Sequence, residues 1–195
     1  RQDRHGHDRP EYLAPRLGDQ LTDSDVRALG TTLLDVARAW ATREREAQLV
    51  QLAASLKGRL TWVAGLMDLL ERVVRDSATA ATSLALMALI EHDDRPRFDA
   101  MIGDVCRNWL ARRWESSLIN LTQGLRRGTV PAPLAAAMEE ALQRTSHEHQ
   151  AATILAALAL RAPVDFRAVV PRAVARDLSF VCLPVVYEFL HRQRQ

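Results

Sequence analysis

The chain has 195 residues, 48% of them hydrophobic and 26% charged, with a formal net charge of +2. That length buries one full core or a continuous stack of small ones, and the near-neutral balance excludes a strong overall field drawing the protein to nucleic acid or an anionic membrane. Aromatic residues make up only 5%; alanine and leucine carry the apolar content, a palette for closely packed helices rather than sheets.

Residues 1–20 read as a flexible lead-in. Arg1, Asp3, Arg4, His5, His7, Asp8 and Arg9 are polar, Gly6 and Pro10 break any period, and only Tyr12, Leu13 and Leu17 offer anchors. Residues 21–195 read as a single all-helical domain, repeat-like from about residue 77. Its first helix starts at Thr22–Asp25, where a hydroxyl caps and acids favour the positive helix end. The apolar stripe Val26, Leu29, Leu33, Leu34, Ala37, Trp40, Ala41 follows a 3.6-residue period. Thr42–Glu46 is either a break or an exposed turn of one long helix. Leu49, Val50, Ala53 and Leu56 continue, with Gly58 as the terminating residue. A further helix is predicted over about 60–76, with Val63, Leu66, Met67, Leu70, Val73 and Val74 on one face and Asp68, Glu71, Arg72 and Arg75 on a solvated edge.

Beyond this point a helix–turn–helix rhythm sets in. Ser77 or Thr79 opens a helix to about Glu91; Asp94–Pro96 is a cap and first turn, followed by a helix over about 96–112. Trp114–Gly128 forms the next leading helix, Thr129–Pro133 the turn, and Leu134–Gln143 its mate. Ser146 caps a helix ending near Arg161, Ala162–Asp165 turns into Phe166–Arg176, and Ser179 to about His191 closes the chain around Pro184, which either kinks that helix or marks its first turn. The apolar cores Ser83–Ile90, Ser117–Leu121, Ala151–Leu158 and Val185–Leu190 recur roughly every 34 residues, within the range of helical-hairpin solenoids.

This pattern resembles the HEAT and armadillo-type repeats. Val169–Val174 is similar to the proline-containing second helix of such a repeat and Gln150–Leu158 to its small-residue first helix; Asp94 and Asp165 stand in inter-helix turns. The usual valine–arginine pair is missing, as is the tetratricopeptide signature. The resemblance covers roughly residues 77–193 and implies a binding scaffold of stacked antiparallel helical hairpins, with a compact multi-helix bundle as the structural rival.

Twenty-five of the 26 basic residues are arginine, with Lys57 the one lysine. This reads either as a preference for forked contacts to phosphate and carboxylate or as a GC-rich, bacterial coding bias that also raises alanine. Cys106 and Cys182 match no metal spacing; Cys106 lies on the stripe Ile102, Val105, Trp109, Leu110 and reads as a small core residue. Two isolated cysteines suit a reducing compartment, so a cytoplasmic location is expected. No apolar run approaches the roughly 20 residues of a membrane span, and no signal peptide is visible. The opening on Arg1 rather than methionine suggests a trimmed or processed fragment.

Several clusters carry side chains capable of chemistry. His5, His7 and Asp8 sit in a polar tail without fixed geometry. His147 and His149 are two apart and point to different sides of a helix. Glu91, His92, Asp93 and Asp94, with Asp99 and Asp104 nearby, form the densest acidic stretch; the spacing of a calcium loop is absent, and helix capping accounts for it. No Gly-x-Ser-x-Gly elbow appears, and Gly124–Gly128 lacks the lysine of a phosphate loop. Gly30, Gly65 and Gly103 fall inside helical patterns, where close packing explains them. The best candidate surface is the arginine set Arg107, Arg112, Arg113, Arg126 and Arg127 interleaved with Trp109 and Trp114. It reads as one basic strip, or as arginines at helix ends around core tryptophans.

The expected function is a non-enzymatic protein–protein interaction or scaffold module using one face of a helical-repeat stack, without metal or cofactor. A nucleic-acid-binding repeat using the arginine strip and a helical enzyme centred on Glu91, His92 and Asp94 are the rivals.

Overall fold

The computed structural model describes residues 21–125, 130–145 and 148–161. Among these residues the fold is all-α, with nine helices, one short 3-10 turn and no strand. The chain divides into two compact units, Arg1–Phe98 and Asp99–Gln195. The lead-in, the Ser146 cap, His147 and everything expected beyond Arg161 lie outside the described residues.

In the first unit, α1 spans Asp23–Ala28. Thr22 caps it as expected: Asp25 N–H donates to Thr22 Oγ1 at 3.2 Å, and Asp25 Oδ2 accepts from Thr22 N–H at 2.9 Å. This reciprocal pair satisfies two backbone donors that a helix start leaves open. The expected continuous first helix is broken at Leu29, and α2 runs Gly30–Trp40. Leu29, assigned to the apolar stripe, is 42% exposed, whereas Val26, Leu33, Leu34, Ala37 and Trp40 are buried. The break rotates Leu29 off the stripe.

Thr42–Arg45 is a turn, so α3 (Glu46–Ser55) is a separate helix. It buries Leu49, Leu52 and Ala53 and ends before Gly58, whose φ of +85° suits glycine. The helix expected over 60–76 is shorter. Leu60–Trp62 is a 3-10 turn, Gly65 adopts φ +81°, and α4 begins at Leu66 and ends at Asp76. Gly65 therefore serves a left-handed turn and not close helix packing; a Cβ there would meet Leu34 Cδ2 at an ordinary 3.4 Å.

Thr79 caps α5, Ala80–Asp93, by accepting from Thr82 N–H. Ser77, the other candidate cap, instead donates to Glu46 Oε2 at 2.7 Å inside the protein. Leu86, Met87, Leu89 and Ile90 are buried around more than one face of α5, as a central helix requires. The principal packing pairs close a ring: α2 lies against α3 and α4, and α5 lies against α3 and α4.

Helix α6, Arg95–Ala111, contains the division between the units. Asp94 caps it by accepting from Arg97 N–H at 3.1 Å. Its expected stripe is buried: Ile102, Val105, Cys106, Trp109 and Leu110 are each at most 4% exposed, and Phe98 joins them. In the second unit, α7 (Glu115–Gly124), α8 (Ala132–Arg144) and α9 (Glu148–Arg161) pack mutually. Pro131 precedes α8 and Pro133 sits in its first turn, where no helical N–H partner is needed. The core joins Leu118, Leu121, Leu134, Met138, Ile154 and Leu155, with Thr122 Oγ1 donating back to Leu118 O at 2.8 Å.

Candidate functional site

The surface with the most distinctive geometry is the turn between α6 and α7. Helix α6 stops because Arg113 takes a left-handed conformation, φ +60°. Trp114 N–H then donates to Trp109 O at 2.8 Å and Arg113 N–H to Leu110 O at 3.2 Å. These are the paired closing bonds of a helix end whose left-handed position glycine normally occupies. An arginine there carries about 1–2 kcal/mol of backbone strain.

The strained turn sets Arg112 and Arg113 on the surface beside a half-buried Trp114. The Arg112 guanidinium carbon lies 4.9 Å from the Trp114 ring centroid, within cation–π range. Arg113 Nε is 3.2 Å from Glu115 Oε1, yet the Arg113 side chain stays 71% exposed. Arg107 pairs with Asp104. It precedes Arg112 by five residues, about 140° round the helix at 3.6 residues per turn, so the two do not share a side. Trp109 belongs to the core at 1% exposed. Arg126 and Arg127 lie outside the described residues. The structure thus brings together Arg112, Arg113 and Trp114, and separates Arg107 and Trp109 from them.

At the acidic stretch each side chain has a local structural task. Glu91 pairs with Arg95 at 3.1 Å, and Asp94 caps α6 and lies 3.4 Å from Arg97 Nε. Arg97 also reaches Asp68 at 2.6 Å and Glu71 at 3.0 Å. The Asp68 hydrogen bond is the main cause holding its guanidinium above the ordinary arginine value, against the opposing pull of burial. Asp93, whose side chain is 1% exposed, accepts from Gly58 N–H at 2.8 Å, from Leu60 N–H at 2.9 Å, and meets His92 Nδ1 at 2.7 Å. Asp93 thereby clamps the turn that follows α3. Sequence reasoning missed this role, although an acid in the last turn of a helix opposes the helix dipole and so signals a compensating partner.

Among the described residues no cluster of metal-ligating side chains forms. Cys106 is buried, and burial pushes its thiol up to about 12, with Arg107 opposing weakly, so it is not poised as a nucleophile. His149 falls in the first turn of α9.

Among the clefts lined by described residues of the first unit are two. One, about 350 Å³, runs along Asp68, Glu71, Arg72, Arg75 and Asp76, the edge of α4 expected to be solvated. The other, about 140 Å³, is lined by Trp40, Glu44, Arg45 and Gln48; none of these was singled out from the sequence as a site residue. No helix among the described residues is long and apolar enough to cross a membrane. Compared with known proteins, the chain matches no family, no curated protein and no solved structure.

Proposed function

We propose that the chain is a non-enzymatic interaction module that recognises a protein partner through the corner between α6 and α7. The observation that carries this reading is the left-handed Arg113, which holds two arginines and a tryptophan on one exposed turn at a cost in backbone energy. Strain of this kind is retained where a side chain must be presented in a particular direction. Arginine and tryptophan are also the residues that dominate binding energy at protein interfaces. Leu29 is the single large hydrophobic residue that stands exposed among the described residues, so affinity at this corner would come from stacking and forked charge contacts. The helical-repeat reading of the region from residue 77 belongs to the same proposal: stacked hairpins present such corners along one edge.

Interleaved acids favour a protein over nucleic acid. Asp104 and Glu115 neutralise Arg107 and Arg113, whereas a phosphate-tracking surface gains from unbroken positive charge. The test is affinity capture from lysate with and without nuclease treatment, at low and moderate salt, comparing the wild type with Arg112→Glu/Arg113→Glu. A single partner retained at moderate salt and lost in the variant supports the reading. Capture of nucleic acid that falls steeply with salt replaces it with the nucleic-acid alternative.

A further inference from the structure

Arg112 and Arg113 are consecutive, both exposed, and set against consecutive residues of one turn, Trp114 and Glu115. The Trp114 ring lies 4.9 Å from the Arg112 guanidinium carbon. An indole fixes where such a cation sits and, being neutral, cancels none of its charge. Arg113 is tied at Nε, 3.2 Å from Glu115 Oε1, with 71% of its side chain exposed against 10% for Glu115. The two Nη groups lie at the far end of a guanidinium from the chain, so Glu115 anchors the base of the Arg113 fork while its outer edge meets solvent. On this turn a single carboxylate stands against two guanidiniums. Over residues 105–130 the sequence holds five arginines and, in Glu115, one acid, so the local chain does not make up the difference.

We propose that the partner recognised here is an acidic protein segment with neighbouring aspartate or glutamate side chains, which rests on the interaction-module reading above. One carboxylate seats in the two-point fork of Arg113; a second faces Arg112 on its tryptophan platform. Paired cations select paired anions, and the lone carboxylate of a chain terminus answers only one of the two. A phosphate group fits less well. Its second negative charge is repelled by Glu115, which is held 3.2 Å from the same guanidinium, whereas a carboxylate brings one charge spread over two oxygens. Pairs this exposed are screened by salt, so recognition is rapid and reversible and depends on ionic strength.

The test is a titration of the full chain with a blocked peptide of glutamate and alanine, beside peptides of equal length in which glutamine or phosphoserine replaces glutamate. The readout is the Trp114 indole N–H resonance, assigned with Trp114→Phe. The expected result is a saturable shift with the glutamate peptide, absent with glutamine and weakened by salt. Arg113→Lys keeps the charge and loses the fork, and weakens binding about tenfold. Arg112→Gln weakens it similarly, whereas Arg38→Gln, at the exposed pair with Asp35 on α2, leaves it unchanged. No saturable shift with the glutamate peptide, or an equal shift with glutamine, overturns the acidic partner. Equal or tighter binding of the phosphoserine peptide replaces it with a phosphorylated one. Undiminished binding in either Arg113→Lys or Arg112→Gln, or an equal loss in Arg38→Gln, overturns the site. If the glutamate peptide fails while a lysate partner is still lost in Arg112→Glu/Arg113→Glu, the interaction-module reading stands and only its acidic chemistry falls.

Discussion

The carboxylate of Asp93 and the backbone N–H of Gly58 are joined by a 2.8 Å hydrogen bond across 35 residues of sequence. The other carboxylate oxygen takes Leu60 N–H, so one side chain at the end of α5 fixes the geometry of the turn after α3. Asp93→Ala leaves both donors without their acceptor and lowers unfolding free energy by about 2–3 kcal/mol. Asp93→Asn, which keeps one acceptor oxygen, lies between the two. Urea titrations of the three proteins measure this order; a wild-type midpoint for Asp93→Ala refutes the clamp.

Gly65 and Gly30 respond in opposite directions to alanine. At φ +81°, Gly65→Ala imposes left-handed strain and destabilises by about 1–2 kcal/mol. Gly30 opens α2 with nothing near a Cβ, and Gly30→Ala stabilises by about 0.5 kcal/mol through reduced freedom of the unfolded chain. Thermal melts of both variants distinguish a conformational demand from a packing demand.

Arg113 separates strain from ion pairing. Both Arg113→Gly and Arg113→Ala remove its contact with Glu115, but only glycine relieves the positive φ. Arg113→Gly is therefore more stable than Arg113→Ala by about 1 kcal/mol. Equal stability of the two variants argues that the turn carries no strain.

The cap of α1 makes a pH-dependent contribution. The Thr22 hydroxyl, and then the Thr22 backbone N–H, hold the Asp25 carboxyl below its ordinary value of 3.8. A depressed folded-state value means stabilisation that is complete above the unfolded value and lost as pH falls through the folded one. Hydrogen exchange at Asp25 N–H should rise, relative to the unfolded rate, below about pH 4. Thr22→Ala, which keeps only the backbone N–H partner of the carboxylate, reduces that dependence.

Cys106 should resist alkylation in the folded protein at pH 8, because burial pushes its thiol up to about 12 and only the thiolate reacts. Peptide mapping after iodoacetamide treatment, with and without denaturant, reads Cys106 separately from Cys182. Rapid labelling of folded Cys106 contradicts its place in the core.

The amino-acid order alone announced the helical class, the Thr22 cap, the Gly58 stop, the Asp94 cap and the buried face of α6. Each of these is local: capping joins residues three apart, and a helix face repeats within one or two turns. The same local logic misjudged Leu29 and Gly65, because an unbroken apolar period does not report where the chain turns to meet its neighbours. The arginine set shows the same division. Its members are visible as residue types, but the left-handed Arg113 that groups Arg112 with Trp114, and the helix rotation that sets Arg107 apart, exist only in the folded backbone. Asp93 on Gly58, Ser77 on Glu46 and Arg97 on Asp68 join residues 35, 31 and 29 positions apart. No spacing rule encodes such contacts; they are decided by which helices pack together, and that depends on the sum of the buried surface rather than on any one motif.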